Sequence, residues 1–551
     1  MKEKGLVRNL VSAETLGGVT TICVDKTGTL TYGKLEVVEE IGNIEDVCVQ
    51  HFASTDDPIM VAARDWLSEH SVHFKTTETQ FNGDCVMIDS IPFIPQNRYY
   101  ASLIEHKNKQ KEIYVNGAPE TLMDWSTLTK IERGQVEAKI RSFTKEGKRV
   151  IAMAKKAAPT QMTKISEQEI NGLKWVGLLV FMDSVRVGVR DSFDQAKKSG
   201  IKTIVITGDY AATAVAVMSE IGMEMSKERI ILGDDLEKMT VLEVSKRLAN
   251  LYKAGNKPIL FARTLPEQKL KVITALKKNN EVVAMMGDGV NDAPAIHRAD
   301  IGIVVGDATD VARESADLVL LDSSFKTIID AIKEGRAIFD NIRKIVLYLL
   351  SDSFEEIVTV AGTIVLGVIL LEKVPLPVTA AQILWINLVS DGFPHLALTV
   401  DPKREDIMNE PPRNPKEILV SGWMRKLIFI VSLSGGIIAL VLFMYFYKTT
   451  GDIVFSRSIA FAALGVNSLV YVFSVRTLKA PFWKQNPFEN KWLNLAVFLG
   501  LAFQVVPFFF AGTRAFLLLT PLQPAHWAVV FGSAGAMFVL IEVAKVRLIK
   551  D

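Results

Sequence analysis

Up to about Arg343, short apolar runs alternate with charged stretches; beyond it the chain becomes a series of long apolar runs. In the first part, Val19-Thr20-Thr21-Ile22-Cys23-Val24 is short, apolar and rich in β-branched residues, which predicts a buried parallel strand. Ile201-Lys202-Thr203-Ile204-Val205-Ile206 and Glu281-Val282-Val283-Ala284-Met285-Met286 predict a second and a third. Each runs into a polar string: Asp25-Lys26-Thr27-Gly28-Thr29-Leu30-Thr31, then Thr207-Gly208-Asp209 with an alanine-rich helix from about Ala211, then Gly287-Asp288-Gly289-Val290-Asn291-Asp292. Strand, helix and strand in this order build a Rossmann-like parallel sheet, an α/β fold in which ligands bind at the carboxyl ends of the strands. That position makes Asp25 a candidate nucleophile. A segment from about Lys34 to Ser166 interrupts the domain after its first strand, and the domain is expected to resume near Trp175.

The second part holds about six apolar runs, each near the ~20 residues a bilayer requires: Ile345 to Leu371, Pro377 to Val400, Lys426 to Tyr447, Ser458 to Val475, Trp492 to Ala511 and Ala525 to Ala544. Basic residues gather on alternate connections. Lys403, Arg404, Arg413, Lys416, Arg425 and Lys426 lie between the second and third runs, Arg476, Lys479, Lys484 and Lys491 between the fourth and fifth, and Lys545, Arg547 and Lys550 at the end. This asymmetry predicts a multi-pass protein with its catalytic part and carboxyl terminus in the cytosol. Asp352, Glu355 and Glu356 recur at i, i+3 and i+4, on one helical face, and Asp391 lies in the next run. At roughly 2.5 to 3.5 kcal/mol per central charge, such residues face a bundle interior and mark an ion path.

With 551 residues, 49% of them hydrophobic, the chain is too long for one core and too apolar for an ordinary soluble protein. A formal charge of +1 gives no reason to expect nucleic acid as a partner. Cys23, Cys48 and Cys85 are few and unpaired in spacing, which suits a reducing cytosol and argues against a disulfide framework or a zinc site. Met1 to Leu10 is basic without a sufficient apolar core, so no cleavable signal peptide is expected.

The string Asp25 to Thr31 closely resembles the phosphorylation motif of P-type ATPases, cation pumps that pass through an aspartyl-phosphate. The three polar strings, with Lys269 of Arg263-Thr264-Leu265-Pro266-Glu267-Gln268-Lys269, also stand in the order of the haloacid-dehalogenase superfamily. The resemblance implies ATP as substrate and Mg²⁺ as cofactor. Asp25, Asp288 and the Thr27 carbonyl would hold the ion through hard oxygens. Thr207 and Lys269 would bind phosphoryl oxygens, Asn291 and Asp292 would orient these groups, and Lys26, Gly208 and Asp209 complete the catalytic set. Hydrolytic members of the superfamily carry a second aspartate two residues after the nucleophile. Here that position is Thr27, so the phosphorylated intermediate should persist, as a pump requires.

The inserted segment resembles the nucleotide-binding domain of these pumps through Ile91-Pro92-Phe93 and Tyr114 to Glu120. The resemblance implies that Phe93, Arg98, Gly117, Arg149 and Arg263 contact ATP, an aromatic face with nearby cations suiting a purine and its phosphates. Asn116 replaces a lysine of the family pattern, and Met60 stands where an acidic adenine contact would align.

Tyr348 to Glu356 and Asn387 to Leu396 resemble the fifth and sixth membrane helices of calcium-transporting pumps. Position by position, Ser353, Glu356, Asn387, Ser390 and Asp391 fall on the cation ligands, with Ser353 replacing an asparagine. Gly392 and Pro394 are expected to break the helix beside Asp391. Gly465, Val466 and Asn467 lack the acidic ligand of two-calcium pumps, so one ion per cycle is expected.

The expected organisation is a linker and first strand (1–33), a nucleotide-binding domain of α+β type (34–166), the remaining phosphorylation domain and stalk (167–343) and an all-α domain of six membrane helices (344–551). The chain reads as the carboxyl-terminal part of a calcium-pump-like P-type ATPase of a plasma or inner membrane. A complementing amino-terminal half would carry an actuator domain and four membrane helices. A proton or sodium pump, a membrane-anchored phosphatase and a non-catalytic remnant are the alternatives.

Overall fold

The computed structural model describes residues 5–7, 10–44, 58–70, 85–94, 97–287, 292–305, 308, 310–314, 316–322, 324–414 and 417–548. It divides into two compact units, Met1–Ala331 with Asn409–Pro412, and Ile332–Met408 with Arg413–Asp551.

In the first unit an eight-stranded sheet runs in the order Gly5–Val7, Leu318–Leu320, Ile301–Val305, Val283–Gly287, Thr21–Asp25, Lys202–Ile206, Ile259–Ala262 and Ile230–Leu232. Every neighbouring pair is parallel except the Gly5–Val7 edge. Thr21–Asp25 lies between the other two strands expected from the apolar pattern. Its Ile22, Cys23 and Val24 are fully buried, as a strand covered on both faces demands. Residues expected as a linker instead form the edge strand and the helix Leu10–Gly17.

The inserted segment is a six-stranded antiparallel sheet in the order Thr31–Gly42, Lys174–Val185, Arg149–Ala158, Lys111–Gly117, Tyr99–His106 and Cys85–Ile91. Alternation along its strands feeds two cores. Leu103, Val115 and Ala152 pack with Leu122 and Phe143 of the helices Pro119–Trp125 and Lys130–Lys145. Ile104, Tyr114 and Met153 pack with Ala62, Ala63 and Leu67 of Pro58–His70. Antiparallel pairing continues past Ser166 to Val185, because the apolar stretch around Trp175 pairs with Arg149–Ala158 and does not enter the parallel sheet.

The second unit is helical. The helix Phe325–Leu370 reaches into it, followed by Gly422–Thr450, Ile453–Arg476, Lys491–Val505 continued by the turn Val506–Phe508, and Pro524–Leu548. Among the described residues five helices are long and apolar enough to cross a membrane. Ile453–Arg476 is the central one, with 89% of its apolar window buried against 17% for Phe325–Leu370.

The expected second span is interrupted into Ala380–Trp385, a π-helical turn Ile386–Asp391 and Gly392–Leu398. The chain widens where a break was expected and does not unwind. Pro394 has no N–H to return to the Ser390 carbonyl four residues back, and the Tyr348 hydroxyl donates to that carbonyl at 3.1 Å.

Two basic residues grouped by the sequence pattern as loop charges, Arg476 and Lys545, are buried here. Arg476 donates to Asp401 Oδ1 at 2.7 Å, and Lys344 donates to Asp401 Oδ2 at 2.7 Å, with Asn490 adding a bond of 2.9 Å. Lys545 caps the end of Ile453–Arg476, donating to the Ser474 carbonyl at 2.5 Å and to the Thr477 hydroxyl at 2.8 Å.

Candidate functional site

Because Thr21–Asp25 is flanked by Val283–Gly287 and Lys202–Ile206, the described residues of the polar strings that follow three adjacent strands meet at one sheet edge. Lys269, in the first turn of Pro266–Lys278, sets its Nζ 2.5 Å from Asp25 Oδ2 and 2.8 Å from Asp292 Oδ1. Asp292 is buried and shares the Lys269 ammonium with Asp25. Burial raises the Asp25 pKa above its ordinary value, and Lys269 opposes the rise. Burial also disfavours the charged form of Lys269, but Asp25 and Asp292 together outweigh it and hold the ammonium above the usual lysine pKa.

Lys26 Nζ is 2.5 Å from Asp209 Oδ2. Thr207 is buried, and its Oγ1 accepts the Asp209 N–H at 3.1 Å, so the hydroxyl hydrogen remains to donate outward. The Thr207 carbonyl accepts both the N–H and the hydroxyl of Thr264 at 3.0 Å. Gly208 and the Thr27 side chain are exposed. Asp288 and Asn291 lie outside the described residues.

Residues that the motifs did not single out hold this arrangement. Gly28 takes φ +74°, open chiefly to glycine, and its carbonyl accepts Arg186 Nη2 at 3.0 Å. Arg186 Nε also donates to the Thr31 carbonyl at 2.9 Å, while Asp183 accepts from the Thr31 hydroxyl at 2.6 Å and the Gly33 N–H at 2.8 Å. A Cβ on Gly287 would lie 2.6 Å from Asp292 Oδ2, so the close approach of Asp292 requires glycine there.

The candidate nucleotide contacts fall into two groups. Register brings Ile91 opposite Ala101, Tyr99 opposite Gly117 and Gly117 opposite Ala152, so Phe93, Arg98, Gly117 and Arg149 gather at one end of the antiparallel sheet. Phe93 is 49% exposed, too open for a core residue and available for stacking. A Cβ on Gly117 would lie 2.5 Å from the Arg98 carbonyl oxygen. Asn116 is buried with its Nδ2 unpartnered, and Met60 is buried in Pro58–His70. Arg263 is elsewhere, at the rim of the parallel sheet. Its N–H donates to the Asp209 carbonyl at 2.9 Å, and its guanidinium lies 4.9 Å from the Tyr210 ring centroid.

The candidate cation ligands also separate. Ser390 and Asp391 are buried, Ser353 and Asn387 are exposed, and half-buried Glu356 is hydrogen-bonded to Asn387. Asp391 Oδ1 accepts from the Ser468 hydroxyl at 2.7 Å, and the same hydroxyl is 3.2 Å from Asp352 Oδ2.

Residues 19–300 match the family described as haloacid dehalogenase-like hydrolase, and residues 375–547 match the one described as cation transporting ATPase, C-terminus. The calcium-transporting ATPase of Bacillus subtilis is 31% identical over 97% of this chain and 64% of its own length. The chain belongs to the P-type cation-transporting ATPases. The calcium-transporting ATPase 1 of Bacillus cereus is 32% identical over 92% of the chain and 60% of its own length. A protein of Mycobacterium tuberculosis named probable cation-transporting ATPase F is 30% identical over 98% and 64%. The chain thus spans about three-fifths of the P-type ATPases it matches. Its apolar helices, with this membership, make it an integral membrane protein.

Within this P-type ATPase chain the sheet edge was readable because each element is local in sequence: a strand and the few residues after it. Asp183 and Arg186 stand 150 residues or more from the loop they brace. Only their position, just before the chain re-enters the parallel sheet, could have pointed to them.

Proposed function

We propose that Asp25 accepts the γ-phosphoryl group of ATP and that the resulting aspartyl-phosphate drives a hard cation, Ca²⁺, out of the cytosol through the membrane unit. The observation that carries the reading is the contact of Lys269 with both Asp25 and Asp292 at the carboxyl end of the central strand. In this step an Asp25 carboxylate oxygen bonds to the γ-phosphorus while the bond to the β-bridging oxygen breaks and ADP leaves. Lys269 keeps Asp25 ionised before transfer and, with the Thr207 hydroxyl, meets the negative charge spread over the phosphoryl oxygens. Phe93, Arg98, Gly117 and Arg149 would hold the purine end of ATP, with Arg263 toward the phosphates.

The oxygen donors fit Mg²⁺: Asp25, the Thr27 carbonyl and Asp288 would hold it as a set of hard oxygens, and Asp292, joined to Asp25 through Lys269, adds a further buried carboxylate beside them. The bound ion would neutralise charge between carboxylate and phosphate.

Glu356, Asn387, Ser390 and Asp391 would supply oxygen donors on the cation path, with Ser353, which is exposed, as a further donor. The calcium-transporting relatives support Ca²⁺ over the proton or sodium. The alternation of basic connections supports cytosolic catalytic domains, and the actuator domain and further membrane helices that the family resemblance implies would act with these residues.

Reconstituted with that complement, vesicles are expected to accumulate ⁴⁵Ca²⁺ on addition of Mg·ATP, and the Asp25→Asn protein to accumulate none. ATP-driven sodium or proton movement that is indifferent to Ca²⁺ would replace the ion. Sustained hydrolysis of a small phosphate ester that survives loss of the membrane carboxylates would instead support the membrane-anchored phosphatase.

A further inference from the structure

Asn116 stands outside the nucleotide contacts that the family resemblance implies. It is 6% exposed, and its Nδ2 is buried without a hydrogen-bond partner. A buried amide donor left unpaired is costly, so folded chains normally give it an acceptor. Half-buried Asn279 of the same unit has the ordinary arrangement, its Nδ2 donating to the Ser245 carbonyl at 2.9 Å and its Oδ1 accepting the Ser245 hydroxyl at 2.6 Å. Side chains alternate between the faces of a strand, so Asn116 shares the face of Tyr114, which packs with Met153 and the helix Pro58–His70. Its neighbours in register are Tyr100 and Met153. The Tyr100 hydroxyl is directed at Met87 Sδ, 4.0 Å away, and Met153 brings only a thioether, a weak acceptor.

The same amide lies at the sheet end where Phe93, Arg98 and Gly117 gather. Arg98 holds φ +59°, outside the range that residues with a Cβ favour. Two backbone bonds keep it there: its N–H donates to the Ile94 carbonyl at 3.0 Å, and its carbonyl accepts the Ala118 N–H at 2.9 Å, two residues beyond Asn116. Backbone strain of this kind collects at ligand sites. A cation, an open aromatic ring and an unpaired amide thus share one end of the sheet.

We propose that Asn116 selects adenine, its Oδ1 accepting the exocyclic 6-amino group and its Nδ2 donating to ring N7 of a base stacked on Phe93; the assignment rests on reading this end of the sheet as the nucleotide site. An amide pairs with those two adenine atoms at once. Hypoxanthine and guanine carry an oxygen at C6, which would set two acceptors face to face. The lysine of the family pattern only donates and cannot accept an amino group. With Met60 where an acidic adenine contact would align, the amide oxygen of Asn116 is the acceptor that meets the amino group, and its nitrogen supplies the donor. One neutral side chain does the work of two charged ones.

The test is displacement of fluorescent trinitrophenyl-ATP from the full 551-residue chain in lipid nanodiscs, by ATP and by ITP, whose base has an oxygen in place of the 6-amino group. ATP is expected to displace the probe at about tenfold lower concentration than ITP. In Asn116→Leu and Asn116→Ala, which lack the amide, ATP should weaken until the two compete within about twofold. Phe93→Ala should weaken both alike, because stacking does not read the group at C6. Asn108→Ala, exposed in the turn at the other end of the Tyr99–His106 and Lys111–Gly117 hairpin, should keep the parent preference. Size-exclusion profiles identify any variant that fails to fold, and the parent ratio decides alone if neither amide variant folds. Equal displacement by ATP and ITP in the parent chain, or a preference undiminished in a folded Asn116 variant, would overturn the assignment and leave the nucleotide site in place. A chain that binds no probe, or binds it equally well as Phe93→Ala, would overturn the nucleotide reading and this assignment with it.

Discussion

Replacing Lys269 by methionine is expected to slow phosphorylation from Mg·ATP by about 10²- to 10³-fold. Methionine keeps most of the side-chain bulk in the first turn of Pro266–Lys278 but removes the ammonium that lies 2.5 Å from Asp25 and 2.8 Å from Asp292. Two effects add. The transferring phosphoryl group loses a cation, and two carboxylates at one sheet edge lose the charge that separates them. Burial already lifts the Asp25 pKa while Lys269 pulls it down, so without the lysine the carboxylate form dominates only at higher pH. Rapid-quench labelling across pH should therefore show the remaining rate of Lys269→Met rising toward alkaline pH more than that of the parent chain. An unchanged rate would mean that Lys269 serves only packing.

Asp401 carries the second large expected effect. Its side chain is 1% exposed, and those of Lys344 and Arg476 are each 2% exposed. Asp401→Ala removes the one anion that Lys344 and Arg476 share, leaving Arg476 only the half-exposed Glu489 at 3.3 Å, at a cost of about 3 to 5 kcal/mol. Asp401→Asn keeps an acceptor for Asn490 and one cation, and should cost less. Thermal unfolding in detergent, followed by tryptophan fluorescence, should rank the parent chain above Asp401→Asn and Asp401→Ala lowest. The network also ties Asn341, whose Nδ2 donates to the Asp401 carbonyl at 3.0 Å. Equal stability of all three proteins would contradict it.

The difference between these two sites shows what a linear pattern carries. Asp25, Thr207, Lys269 and Asp292 could be found because each stands at the end of a strand or the start of a helix, where topology dictates the edge they share. Asp401 stands after the end of an apolar run and resembles any loop acid. Its partners Lys344 and Arg476 are 57 and 75 residues away, so only packing reveals that their charges are buried.

The membrane acids illustrate the same limit within one helix. Spacing alone puts Asp352, Glu355 and Glu356 on one face, but a face spans more than one neighbour. The central helix buries Asp352 and Glu355, whereas Glu356 turns toward Asn387 and Ser353 is exposed. The π-helical turn was likewise half legible. Pro394 signalled a lost hydrogen bond, but not that Tyr348 would occupy the freed carbonyl.

The central claim is that the Asp25 carboxylate receives phosphate. The direct measurement is peptide mapping after incubation of the chain and its complement with [γ-³²P]ATP and Mg²⁺. Acid-stable, hydroxylamine-sensitive label on the peptide containing Asp25, and none in Asp25→Asn, is the predicted result; label on another residue, or undiminished labelling of Asp25→Asn, would contradict it.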